Sequence, residues 1–548
     1  DEKFLKSWLK KKISITTSTV VSFLITGAAS YAVPPSKMNN AGANSTAWPT
    51  QEGIVVFGHG SKTYVGGAVV LGANAQAKGS GEDSGIAVGR LANANGTNAQ
   101  AMGVNARATG PKSLAIGSDS VAQSERDIAI GAEAEAANSP RINNTITRGV
   151  AIGNKSIANG GVSIGDSASS QSFGVAIGYR AGADNTTFGD SYANVTIGAN
   201  TRVGDVGVKA GQGVAIGSAV GTGQGAWAKG DQSIAIGANT VAKGNSSIVI
   251  GGDDLDAVAA SSSSYEKRIF DKNGNQVGST VTVNNNLDQI FSDLTGRGKI
   301  LTAEAIIDGS KYEQYKNAEA GQGAVSLGVK SISGDIALAI GTMAEARGLN
   351  SVAIGTGAQT PQANAVAIGG GSSTNGIQGR QVKDANITLT DGSTMNLTNF
   401  AGAEYIEEGD IVSFGRIGNE RQLKNIAPGE ISATSTDGIN GSQLFSVAKK
   451  LGSDISKLNT DISKFKYVSI KSNDAGNKLN DGATENNAIA IGPNASTKVA
   501  SAVSLGDGAN VTTGPTKDKS GNNLVPVITS GSGVAIGKSC LLYTSPSP

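Results

Sequence analysis

The sequence predicts a mainly β protein whose chain winds as a parallel roll of short coils. Three observations predict it: a five-residue phrase that returns with a fixed period, strict alternation of bulky and small residues inside that phrase, and an unusual glycine content. The phrase, x-V/I-A/S-I/L-G, stands as Ser351–Val352–Ala353–Ile354–Gly355 and recurs on both sides of it. Its closing glycines Gly103, Gly117 and Gly131, and again Gly341, Gly355 and Gly369, follow one another at intervals of 14 residues. A fixed period of this length is the signature of a solenoid. Glycine supplies 77 of 548 residues and aromatics only 4%, which leaves little material for a conventional core.

Fourteen residues suffice for two short strands and two turns. In the phrase, Val352 and Ile354 alternate with Ser351, Ala353 and Gly355, so an extended chain has one apolar face and one nearly flat face. A weaker alternation of small residues half a period away, as in Ala344–Glu345–Ala346 and Ala106–Arg107–Ala108, supplies the second strand. Coils of this kind stack at about 4.8 Å. The expectation is that the aliphatics fill the thin interior. Ile116, Ile130, Ile152, Ile236, Ile250, Ile340, Val352, Ile354 and Ile368 are then roll core, and the flat Ala/Ser/Gly face is free for close approach by another chain.

Charge names no partner. Lys+Arg number 45 against Asp+Glu 44, a net charge of +1, so nothing points to nucleic acid or a lipid surface. The single cysteine, Cys540, excludes an internal disulfide framework, and the single histidine, His59, excludes most histidine-based metal sites. The reading contains no cofactor and no metal.

In chain order, residues 1–32 carry a lysine-rich start, an apolar run from Val20 to Ala29 and Ser30–Tyr31–Ala32, the pattern of a signal peptide cleaved after Ala32. The expectation is export. Residues 33–52 are a polar leader. Head repeats run over 53–252, with long coils and inserted polar loops between Gly131 and Gly237. An insert of different composition occupies 253–323, with a hairpin around Asp271–Asn275 and a helix near 285–295. Asp271, Asn273 and Asn275 resemble a calcium loop only superficially, because Gln276 and Thr282 stand where glycine and glutamate are needed. Repeats continue over 324–371. A connector follows at 372–423, in which Ile387, Leu389, Met395 and Leu397 alternate as in strands. A segment at 424–445 leads to a helix at 446–466, where Leu444, Val447, Leu451, Ile455, Leu458, Ile462 and Phe465 are spaced as a heptad seam with one four-residue stutter after Leu451. A second head-like segment spans 467–538, and 539–548 reads as an anomalous tail.

A leader, a roll of these coils, the connector phrase Val412–Ser413–Phe414–Gly415 with Arg421–Gln422–Leu423–Lys424–Asn425–Ile426–Ala427, the neck phrase Asp437–Gly438–Ile439–Asn440–Gly441–Ser442–Gln443–Leu444 and a coiled coil together resemble the trimeric autotransporter adhesins of Gram-negative bacteria. The resemblance covers most of residues 53–538. It implies a left-handed parallel β-roll head forming a homotrimer, a neck containing Asp437, Asn440 and Gln443, and a short trimeric coiled-coil stalk. It also implies a bacterial cell-surface location, with an outer-membrane anchor that is expected beyond this chain. Gly438 departs from the alanine usual in such necks.

No catalytic constellation emerges. Ser532 stands where a phosphate-binding loop ending Gly537–Lys538–Ser539 needs glycine. A solenoid acyltransferase has a six-residue period, and a phage tail fibre, the structural rival, would not carry an export signal. The functional expectation is a non-catalytic adhesin for host extracellular matrix proteins or cell-surface receptors. Its distinctive side chains, Phe188, Tyr192, Trp227, Tyr265 and Tyr312, lie in the long coils and the insert.

Overall fold

The computed structural model describes residues 54–79, 84–137, 141–142, 145–146, 148–171, 173–182, 193–205, 210–219, 225–298, 317–463, 481–512, 520 and 533–542. The segments expected as signal peptide (1–32) and leader (33–52) lie outside the described residues, as does Phe465. The chain divides into a unit ending at Lys424 and a second beginning at Asn425.

In the first unit most of the described repeats form a three-residue strand and, half a coil later, a strand of two or three residues. The longer strands stack in parallel as one sheet of eighteen, from Val55–Phe57 to Val412–Ser413. Their register is kept like on like: Val352 faces Val366, Ala353 faces Ala367 and Ile354 faces Ile368. The shorter strands form an eight-stranded and a seven-stranded sheet. The period and the closing glycine have one cause. At Gly117 the backbone turns with φ 132°, and a Cβ there would lie 2.2 Å from the carbonyl oxygen of Gly131 in the next coil. Only glycine combines that backbone angle with coils stacked so closely.

The interior corrects the sequence reading. A three-residue strand points one side chain inward, and that residue is the middle one. Ala101, Ala115, Ala129, Ala339, Ala353 and Ala367 are completely buried, and so are Ala108, Ala122 and Ala346 from the opposite short strands. The roll is therefore an alanine-on-alanine core. Among the described residues of the first unit, Val56, Val70 and Val249 on the long strands and Val203 on a short one place a larger aliphatic at the inward position. Ile116, Ile130, Ile152, Ile236, Ile250, Ile340, Val352, Ile354 and Ile368, expected inside, all face outward. Two sheets joined by turns of a few residues lie so close that a branched side chain seldom fits between them, and alternation then sends both flanking residues to the other face.

Buried polar side chains keep the coils in register across loops. Asp127 occupies a corner where most coils have serine or alanine, is fully buried, and accepts hydrogen bonds from the backbone N–H groups of Ser124 (2.6 Å) and Gly149 (2.8 Å). It thus ties together two coils separated by the long interval from Gly131 to Gly153. Asn194 repeats the device by accepting from the N–H of Gly213 at 2.9 Å.

The insert begins with helix α1 (Asp256–Ala260). An antiparallel hairpin of Ser262–Lys267 with Val281–Asn286 follows, and then helix α2 (Leu287–Thr295). Asn286 caps α2 by accepting from the Gln289 N–H, and Gly296 ends it in the left-handed region. At the hairpin tip the Asp271 carboxylate accepts from the N–H groups of Asn273 and Asn275, an Asx turn. In the second unit, helix α3 (Gly441–Ser463) precedes coils whose strands Ile489–Ile491, Val503–Leu505 and Val534–Ile536 stack in parallel. The coil geometry runs on past Ser539, since Leu541–Leu542 pairs in parallel with Asn510–Val511.

Candidate assembly surface and host-facing surface

The outward aliphatics form a continuous ladder. Leu114 aligns with Ile128 and Ile116 with Ile130, and the pattern carries on rung by rung to Val366 and Val412. Within one chain most of these side chains are half-buried by the rungs above and below, while Ile250 is 45% and Ile368 40% exposed. Nearly every strand of the sheet presents two such residues. Covering one aliphatic fully contributes about 1.5–3 kcal/mol, so an apolar stripe of this length marks an interface. The face that another chain can cover is the Val/Ile face, and the flat alanine face expected for that role is internal.

The neck motif is a reciprocal helix cap. Asn440 Oδ1 accepts from the Gln443 backbone N–H at 3.3 Å, and Gln443 Oε1 accepts from the Asn440 N–H at 3.0 Å. This is the capping-box arrangement, with Asn and Gln at the two positions that satisfy orphan donors. The same Gln443 amide donates to the Gly429 carbonyl at 2.6 Å, and Asn440 Nδ2 donates to the Ile426 carbonyl at 3.1 Å. Asp437 accepts from the Glu430 N–H at 3.0 Å. The three polar neck residues thus tie the preceding loop to the first turn of α3. Along α3, Leu444, Val447, Leu451, Ile455, Leu458 and Ile462 share one stripe and are 48–66% exposed, too apolar a seam for a solitary helix in water.

Away from the ladder, the insert is docked on the roll. Phe291, Leu255 and Ala259 form a buried cluster with Met343 of the roll, and Val329 packs against it. Arg297 reaches across to donate to the Met343 carbonyl and to the Glu345 carboxylate, both at 2.5 Å. Glu345 also accepts from Arg347 at 2.8 Å. Burial pushes the Glu345 carboxyl up, but the two guanidinium groups outweigh that effect and hold it below its ordinary range. Gly357 provides the clearance, since a Cβ there would meet the Phe291 ring at 3.2 Å. Among the expected recognition aromatics, Trp227 is held rigidly. Its indole N–H donates to the Gly204 carbonyl at 2.6 Å, Lys229 lies 3.7 Å from the ring centre and Arg202 lies 5.8 Å from it. Tyr265 is half-buried in the hairpin, and Phe270 is 58% exposed. Phe188, Tyr192 and Tyr312 lie outside the described residues. Sequence reasoning missed Arg297, Glu345 and Gly357, and Asp127 and Asn194 as well. The latter pair left a signal, a residue longer than serine at a repeat corner followed by a coil with glycine at the same corner.

Parts of the chain match known protein families. The YadA head domain repeat matches residues 108–134, 218–240, 228–253, 333–358, 346–372 and 483–509. The coiled stalk of trimeric autotransporter adhesin matches residues 422–467. Over these residues the repetitive head and the coiled stalk are similar to those of trimeric autotransporter adhesins. Among solved structures, the C-terminal YadA-like domain of a Burkholderia pseudomallei protein is 26% identical. That match covers 38% of this chain and 76% of the other, with a TM-score of 0.16. No curated protein sequence matches.

Proposed function

We propose that this protein is a non-catalytic adhesin of the outer membrane surface, attaching to host extracellular matrix proteins or cell-surface receptors. In this reading the three chains of the homotrimer meet through the Val/Ile ladder in the head and through the Leu444–Ile462 seam in the stalk. The observation that carries it is the separation of surfaces. One face of the roll is a long apolar ladder suited to self-association, and the insert and polar short strands lie elsewhere. Each contact on a repetitive surface can be weak, because three equivalent faces and many copies on one cell raise avidity. The test is binding of the full chain, first shown by light scattering to be trimeric, to immobilised collagen, fibronectin and laminin and to host cells. Saturable binding to at least one is expected. A folded trimer that binds none of them would overturn the adhesin reading in favour of a structural fibre.

A further inference from the structure

The connector contains an amphipathic hairpin that nothing among the described residues of its own chain covers. Ala385–Thr388 pairs antiparallel with Thr394–Leu397, Asn386 facing Asn396, Ile387 facing Met395 and Thr388 facing Thr394. Side chains alternate between faces, so one face is entirely Asn and Thr, whereas the other carries Ile387, Leu389, Met395 and Leu397. These four aliphatics remain 37–44% exposed. Among the described residues neither strand joins any other sheet. A lone two-stranded hairpin in water is marginal at best, and a clean polar/apolar division implies that one face is covered.

What covers it follows from where the hairpin leaves the roll. It is inserted between two successive rungs of the outward ladder, Val366–Ile368 and Val412–Ser413, which stack directly on one another. The hairpin therefore leaves the roll at the corner beside Gln362, after the short-strand position of Ser373, and the chain returns from it into the Val412 rung at the edge of the assembly face. That edge presents its own uncovered apolar group, Ile368 at 40%, Val412 at 57% and Ile417 at 65% exposure. We propose that the apolar face of the Ala385–Leu397 hairpin docks on a second copy of this chain, on the end of the neighbouring roll around Val412 and Ile417, so that each protomer clasps the next where head passes to neck. The Asn/Thr face remains in solvent. This proposal rests on the homotrimer of the preceding section, and it adds a contact that the coils and the stalk seam do not make.

The test uses the full chain with Cys540→Ser, which removes its only cysteine, and places one new thiol on either face of the hairpin by Met395→Cys or Asn396→Cys. Light scattering first establishes that each variant is trimeric; a folded monomer would overturn the trimer reading itself. In the trimer, a maleimide should modify Met395→Cys several-fold more slowly than Asn396→Cys, with the two rates equal after unfolding. Mixed trimers assembled from chains bearing only Met395→Cys and chains bearing only Ile417→Cys should form a disulfide-linked dimer on oxidation. Equal labelling rates in an intact trimer would overturn the clasp and leave the apolar face to an outside partner. Protection without any interchain crosslink would likewise overturn docking near Ile417.

Discussion

Ala353→Leu tests which way the roll faces. Ala353 is completely buried, with Ala339 and Ala367 stacked on either side of it in the long-strand sheet and Ala346 buried on the neighbouring short strand. An isobutyl group in place of the methyl has no room without moving one sheet away from the other. Overpacking of this kind costs about 1–3 kcal/mol per site, and three copies bring the cost to roughly 3–9 kcal/mol per trimer. Ile354→Ala on the same strand should behave differently. Ile354 is only half-buried within its own chain, so its loss leaves the coil intact and removes roughly 2 kcal/mol per chain of burial that exists only in the assembly. Thermal unfolding followed together with light scattering separates the two. Ala353→Leu should lower the melting temperature of the roll with little dependence on protein concentration, whereas Ile354→Ala should make melting concentration-dependent and shift trimer toward monomer. If Ala353→Leu melted with the parent while Ile354→Ala unfolded the roll without changing its assembly, the inner and outer faces would be assigned the wrong way round.

Asn440→Ala should cost about 0.5–2 kcal/mol per chain by removing one half of the reciprocal cap, read as lower helix content and a lower stalk melting temperature. Gly438→Ala should stabilise by about 0.4–1 kcal/mol through the unfolded state, because a Cβ there meets nothing within 4 Å and the backbone is not left-handed; denaturant titration would report it. Arg297→Ala should cost about 1.5–3 kcal/mol by removing charged hydrogen bonds that hold the insert, and hydrogen exchange in α2 should accelerate while exchange in the coils does not. The same docking should depend on pH. The Glu345 carboxyl lies below its ordinary value of 4.5 when folded, so its contribution is fully present above that value and is lost as the pH falls through the folded one. Protection of α2 should follow that course and become flat with pH in Glu345→Gln.

The sequence by itself determined the parallel roll, its period, the insert and the helical seam. Each of these rests on local chemistry: a glycine every coil, alternation along three residues, and aliphatics spaced for one helix stripe. The helix expected near 285–295 is present as Leu287–Thr295, because its cap and its amphipathic spacing are written within a few residues of one another. Which face of the strand lies inside could not be read in the same way. Alternation puts Ala353 opposite to Val352 and Ile354, yet it does not say how far away the second sheet is. That distance is set by the turns that join the two sheets, and it leaves room for a methyl group and seldom for anything larger. Only the tertiary structure decided it, and with it the meaning of every outward isoleucine. The same holds for Phe291 and Arg297 of the insert, which meet Met343 and Glu345 far along the chain because stacked coils bring residues 343–357 beneath the insert. Contacts of that kind depend on the number of coils between two segments, a quantity that the spacing of a local motif does not contain.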